Sequence, residues 1–195
     1  MKGVLKSRGG FTLIEMAIVL VIIGLILGMI MKGKQLIDGA KVKSLIAQRN
    51  KIIAAINIFY ERYGVYPGDG CTTPAPASIS QCNGTKDGII DTADEEKAFW
   101  YLLIHDTHIL SEADRRSVFG QDWNIIYRTF NGVTGDWLDL PGGAQMDVRY
   151  MCALDQAIDD GEYNSGDVQA SAHYHRNTDC WSLSGQTDGW IKVLP

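Results

Sequence analysis

A chain of 195 residues with a formal charge of −5 has room for one folded domain and an anchor. The first ten residues hold Lys2, Lys6 and Arg8 and no acid, so the remainder carries −8 (−5 minus +3). So acidic a body argues against a broad nucleic-acid surface, where affinity comes from Lys and Arg neutralising phosphates.

Behind the basic leader comes Gly9-Gly10-Phe11-Thr12-Leu13-Ile14-Glu15, followed by apolar residues as far as Met31. Within 11–31 only Thr12 and Glu15 are plainly polar. A membrane-spanning helix needs about 20 apolar residues, so this stretch predicts one. Basic residues ahead of it favour a cytoplasmic N-terminus, with the body on the far, periplasmic side. A secretory signal would be cut after its apolar run at a small-residue site, which Met31-Lys32-Gly33-Lys34 does not offer. Glu15 is the anomaly, because an acid in a membrane span costs on the order of a few kcal/mol and marks function. Gly24 and Gly28 form a Gly-x-x-x-Gly step, either tolerated there or used for close helix packing.

Residues 32–66 continue the helix as an amphipathic segment. Val42, Leu45, Ile46, Ile52, Ile53, Ile56, Phe59, Tyr60 and Tyr63 recur at three- and four-residue steps, as one buried face would. Lys41, Lys43, Gln48, Arg49, Lys51, Glu61 and Arg62 fall largely opposite. Gly64 is the expected C-cap and Pro67 the stop. A helix of about 54 residues would be roughly 80 Å long, more than a small domain buries. Its first half must therefore sit in lipid or among other helices.

Residues 67–195 form the expected head. Gly, Pro, Ser, Thr and Asn make 68–91 a loop. A helix is expected over 93–110, with Phe99, Leu102, Leu103, Ile109 and Leu110 inward. A strand is expected over 123–130, with turns at Gly132, Gly135 and Pro141-Gly142-Gly143 around a short partner. A helix follows over 144–158, ending at Gly161, and a terminal strand over 190–193. Together these give an α+β fold: a long N-terminal helix packed in its second half on a small antiparallel-sheet head with extra short helices.

The Gly-Phe-Thr-Leu-Ile-Glu run resembles the class III signal of type IV pilins and type II secretion pseudopilins. Two further stretches resemble the same prepilin-type group, Phe59-Tyr60-Glu61-Arg62-Tyr63-Gly64-Val65-Tyr66-Pro67-Gly68-Asp69 and Leu154-Asp155-Gln156-Ala157-Ile158-Asp159-Asp160-Gly161. The resemblance implies a leader, 1–10, cut after Gly10 by a prepilin peptidase that N-methylates Phe11. It implies assembly through the 11–31 helix with homologous subunits on an inner-membrane platform, giving a pilus or a secretion pseudopilus that reaches the cell surface in the first case. Glu15 matches the family glutamate, whose partner would be the freed amine of Phe11 in the same or a neighbouring chain. Many relatives carry a proline where this chain has Lys32. The competing reading is a membrane-anchored calcium- or ligand-binding module that does not polymerise.

Four cysteines allow three pairings. Cys71–Cys82 and Cys152–Cys180 are preferred, since each would staple a segment without regular structure. Set against an EF-hand-type loop, Asn83, Thr85, Asp87, the Ile89 carbonyl, Asp91 and Asp94 offer oxygens at the steps that surround Ca²⁺. The alternative is an Asx-rich turn in which Thr92 or Asp94 caps the next helix. Asp155, Asp159, Asp160, Glu162 and Asp167 read as a solvated helix end before a turn at Gly161, in preference to a metal site. His173 and His175 read as polar surface. No cofactor is required, and calcium is the one candidate. With no G-x-S-x-G, H-E-x-x-H or P-loop, no enzyme activity is expected.

Overall fold

The computed structural model describes residues 11–140 and 146–194, which divide after residue 40 into two compact units. The longest element, α1, runs Leu13–Tyr63, and Lys32 lies within it as an ordinary helical residue. Its start is fixed by a reciprocal cap. The Glu15 amide donates to the Thr12 hydroxyl at 3.3 Å, and the Glu15 carboxylate accepts the Thr12 amide at 2.7 Å. Its end is the glycine cap, with Gly64 at φ +73° and its N–H on the Tyr60 carbonyl at 2.7 Å.

In the second unit, Val42, Leu45, Ile52, Ala55, Ile56 and Phe59 of α1 are buried in the head core. Tyr60 and Tyr63, expected on that face, stay exposed instead. Each covers an aromatic neighbour, Tyr63 against Phe59 at 4.6 Å and Tyr60 against Tyr66 at 4.8 Å. Gln48 ties α1 to the head through polar groups. Its amide nitrogen donates to the carbonyls of Asp114 and Arg116, each at 2.7 Å, and its oxygen accepts the Trp123 indole N–H at 2.9 Å.

The helix expected over 93–110 is shorter. Helix α2, Ala93–Tyr101, passes into a wider π-helical turn, Leu102–Asp106. There the Thr107 amide reaches five residues back to the Leu102 carbonyl, and His108 at φ +53° leaves the helical region. Leu110 is nonetheless buried, as expected. A short α3, Glu112–Arg115, leads to the sheet.

Strands β1, Asn124–Phe130, and β2, Val133–Asp139, form a hairpin pairing Phe130 with Val133. Its two loop residues, Asn131 and Gly132, both have positive φ, as the tight hairpin turn requires. A short ladder joins β3, Met146–Asp147, to β5, Gln186–Thr187. Helix α4 begins after β3 and covers Val148–Ile158, with the Asp147 carboxylate capping the Arg149 amide. The expected start at 144 lies outside the described residues. Strand β4, Val168–Ala170, and terminal strand β6, Gly189–Leu194, complete an antiparallel sheet of order β1-β2-β6-β4. Disulfides join Cys71 to Cys82 and Cys152 to Cys180.

Candidate functional site

Helix α1 is long and apolar enough to cross a membrane. Every large apolar side chain from Phe11 to Ile30 is exposed, Leu13 at 90 %, a continuous patch of the kind that marks a lipid or protein contact. Gly24 and Gly28 leave open space where a Cβ would stand. Gly10 lies outside the described residues. Glu15, in its reciprocal cap, accepts from both the amide and the hydroxyl of Thr12 at 2.7 Å. The Thr-x-x-Glu spacing announces this cap in the sequence, and reasoning from the acid as an anomaly passed over it.

In the head, Thr85, Asp87, Asp91 and Asp94 line an open hollow of about 440 Å³ together with Glu95 and Gly70, while Asn83 is exposed. The local contacts are those of the turn and cap. Asp87 accepts the Ile89 amide at 3.2 Å, and Thr92 caps α2 through a reciprocal pair with Glu95. Glu95, missed in the sequence, is the organiser here. Its two oxygens accept amides of Gly70, Asp91 and Thr92. Gly68, at φ +89°, lets the backbone pass where a Cβ would lie 2.5 Å from the Glu95 carbonyl. Asp69 accepts the Gly88 amide and Asp136 of β2 the Ile90 amide. Burial, reinforced by Asp91, Glu95 and Asp69, pushes the Asp136 carboxyl up to about 7. Only the fold brings Asp136 to this loop; nothing local in the strand sequence marks it.

The C-terminal acids are not a solvated helix end. Asp155 is fully buried and accepts the Gly161 amide at 2.9 Å. Asp159 accepts the Val168 amide at 2.7 Å, and Asp160 accepts the Glu162 amide and the Ser165 hydroxyl. Gly161 does turn the chain, at φ +78°. Solvation fails because the α4 face carrying Asp155 also carries Met151, Cys152 and Leu154, all buried. Glu162 and Asp167 turn away to other partners, Glu162 to His175 at 2.6 Å and Asp167 to Arg49 at 3.5 Å. His173 stacks on Tyr163 at 4.4 Å and is exposed.

The architecture is therefore a long N-terminal helix, apolar enough to span a membrane, with an α+β unit of short helices and a small antiparallel sheet. A family model described as the prokaryotic N-terminal methylation motif matches residues 5–31. That stretch holds the basic leader end, the paired glycines, Phe11, Glu15 and the apolar run, so the chain carries a type IV pilin-like prepilin signal. No curated protein and no solved structure matches the chain.

Proposed function

We propose that the chain is a structural subunit of a type IV pilus or type II secretion pseudopilus, cut after Gly10 and N-methylated on Phe11. The observation that carries this is the methylation motif at 5–31 running into a helix whose apolar side chains from Phe11 to Ile30 are exposed among the described residues. Exposed hydrocarbon needs lipid before assembly and sibling helices after it. The body then lies on the periplasmic side of the bacterial inner membrane, and the chain is a substrate of the peptidase and not a catalyst.

Cleavage turns the Phe11 nitrogen into an amine one residue ahead of Thr12, the first residue of the Thr12–Glu15 cap. An amine and a carboxylate at about 4 Å, in an effective dielectric near 20, attract by roughly 4 kcal/mol before desolvation. Pairing between neighbouring chains satisfies both charges and sets the axial step of one helix against the next. Glu15→Ala tests the reading in two assays. Normal N-terminal sequencing with lost filaments supports register control, whereas lost cleavage makes Glu15 a recognition residue only. Cysteines placed in 11–31 separate the filament from a solitary anchored module, which would give no crosslinked ladder.

A further inference from the structure

We infer that Arg49, with Lys192 beside it, forms a binding site for a carboxylate carried on a short apolar stem, the chemistry of a glutamate or aspartate side chain. Arg49 stands four residues after Leu45 and three before Ile52, so the helical repeat puts it on the face that α1 buries. Leu45, Ile52 and Ile56 on that stripe are at most 1 % exposed, and the Arg49 side chain is 17 % exposed. A guanidinium taken so far out of water needs acceptors for its donors, and without them it costs stability that an apolar residue there would not.

The acceptors present are incomplete. Nη2 of Arg49 donates to the Lys192 carbonyl at 3.4 Å and to the Asp167 carboxylate at 3.5 Å, both at the long limit, and the buried Nε has no acceptor. Nε and Nη2 form an edge of the guanidinium that can grip a carboxylate through two parallel hydrogen bonds. Asp167 does not fill that edge: its side chain is 55 % exposed and it reaches Nη2 alone.

Arg49 opens into a hollow of about 280 Å³ lined also by Ile53, Asp167, Lys192, Val193 and Leu194. Two cations against one acid give this lining a charge of +1 (+2 minus 1), on an otherwise acidic chain. Ile53, Val193 and Leu194 make the rest of the wall apolar, which suits methylene groups and offers nothing to a bare inorganic anion. Charge and wall together select a carboxylate on a hydrocarbon stem. The site lies wholly within the second unit, apart from the processing signal and the apolar span, so it can be tested apart from filament assembly.

The test is heteronuclear NMR of the isotope-labelled full chain in detergent, following the Arg49 Nε–H and the Asp167 and Lys192 amides. N-acetylglutamate is the probe, at constant ionic strength. Saturating shifts with a half-effect near about 1 mM, ordinary for so small a ligand, support the site. N-acetylglutamine has the stem without the charge and inorganic phosphate the charge without the stem, so each should bind at least about tenfold more weakly. Arg49→Met should abolish the amide shifts and keep or raise the melting temperature, since an apolar residue of similar length is tolerated in place of a buried charge. Lys192→Gln, at a partly exposed strand position, should weaken binding about two- to fivefold. Equal shifts with either control, shifts that survive Arg49→Met, or none well above the expected half-effect overturn the proposal. So does an Nε–H that already resonates as paired in the dilute chain and ignores the probe, which makes an acid of the same chain the occupant. Raising the protein concentration in place of the probe separates two sources of the carboxylate, and either keeps the site. Shifts that appear then assign it to a second copy of this chain, and shifts that need the probe assign it to a soluble acid.

Discussion

From Phe11 to Ile30 every large apolar side chain faces outward, whereas Val42, Leu45, Ile52, Ile56 and Phe59 are buried among residues of the head. Both stretches belong to α1 and draw on the same residue types. What separates them is pattern. Apolar residues around the whole circumference leave no polar face to meet water, so cover must come from outside the chain. A stripe at three- and four-residue steps matches one wall of a core the chain supplies itself. The same residue types thus stand outward in one stretch and build the core in the other.

Thermal melts of the full chain in detergent probe this contrast, and the largest effect belongs to the buried stripe. Phe59→Ala should cost about 3–5 kcal/mol, since a fully buried aromatic leaves a cavity. Replacing Cys152 and Cys180 by Ser should cost about 3 kcal/mol. That loss should exceed the Cys71 and Cys82 pair's by roughly 0.8 kcal/mol, because 28 residues are closed against 11.

The head also carries a pH signature. Asp136 titrates at about 7 against an ordinary 3.8. Between those values the folded chain keeps a proton that the unfolded chain has lost. Stability is therefore full below about 4 and falls as pH rises towards 7, by up to about 1.4 kcal/mol per pH unit. The groups around it, Asp69, Asp91 and Glu95, are all acids, and each reinforces the fall. Asp136→Asn should flatten this slope and raise the melting temperature at pH 8. Thr92→Ala, which removes one half of the α2 cap, should cost about 1 kcal/mol. Ile22→Ala, on the outward stretch, should move the melt of the head by less than about 0.5 kcal/mol. An Ile22→Ala loss comparable to Phe59→Ala would erase the distinction between the two stretches.

The elements legible in the sequence are those whose cause is local. The ends of α1 follow from Thr12, Glu15 and Gly64, the hairpin from Asn131-Gly132, and the terminal strand from its own alternation. Helix α2 stops early because Thr107 and His108 make a local backbone arrangement that apolar periodicity through Leu110 conceals. Strand β4 went unseen because three residues cannot show a period, and it exists by pairing with β6. The acidic residues show the same divide. A linear spacing rule drew attention to 83–94, yet the acids that share a neighbourhood are 155, 159 and 160.

By itself the sequence determined the processing signal, the apolar span, the amphipathic continuation and the α+β class, because each is written in contiguous residues acting on their near neighbours. The tertiary structure decided which carboxylates lose their water: Asp136 against the loop after Asp69, and Asp155 beneath the turn at Gly161. Burial depends on what distant segments bring to a point, and the free energy of a charged group depends on burial more than on its place in the chain.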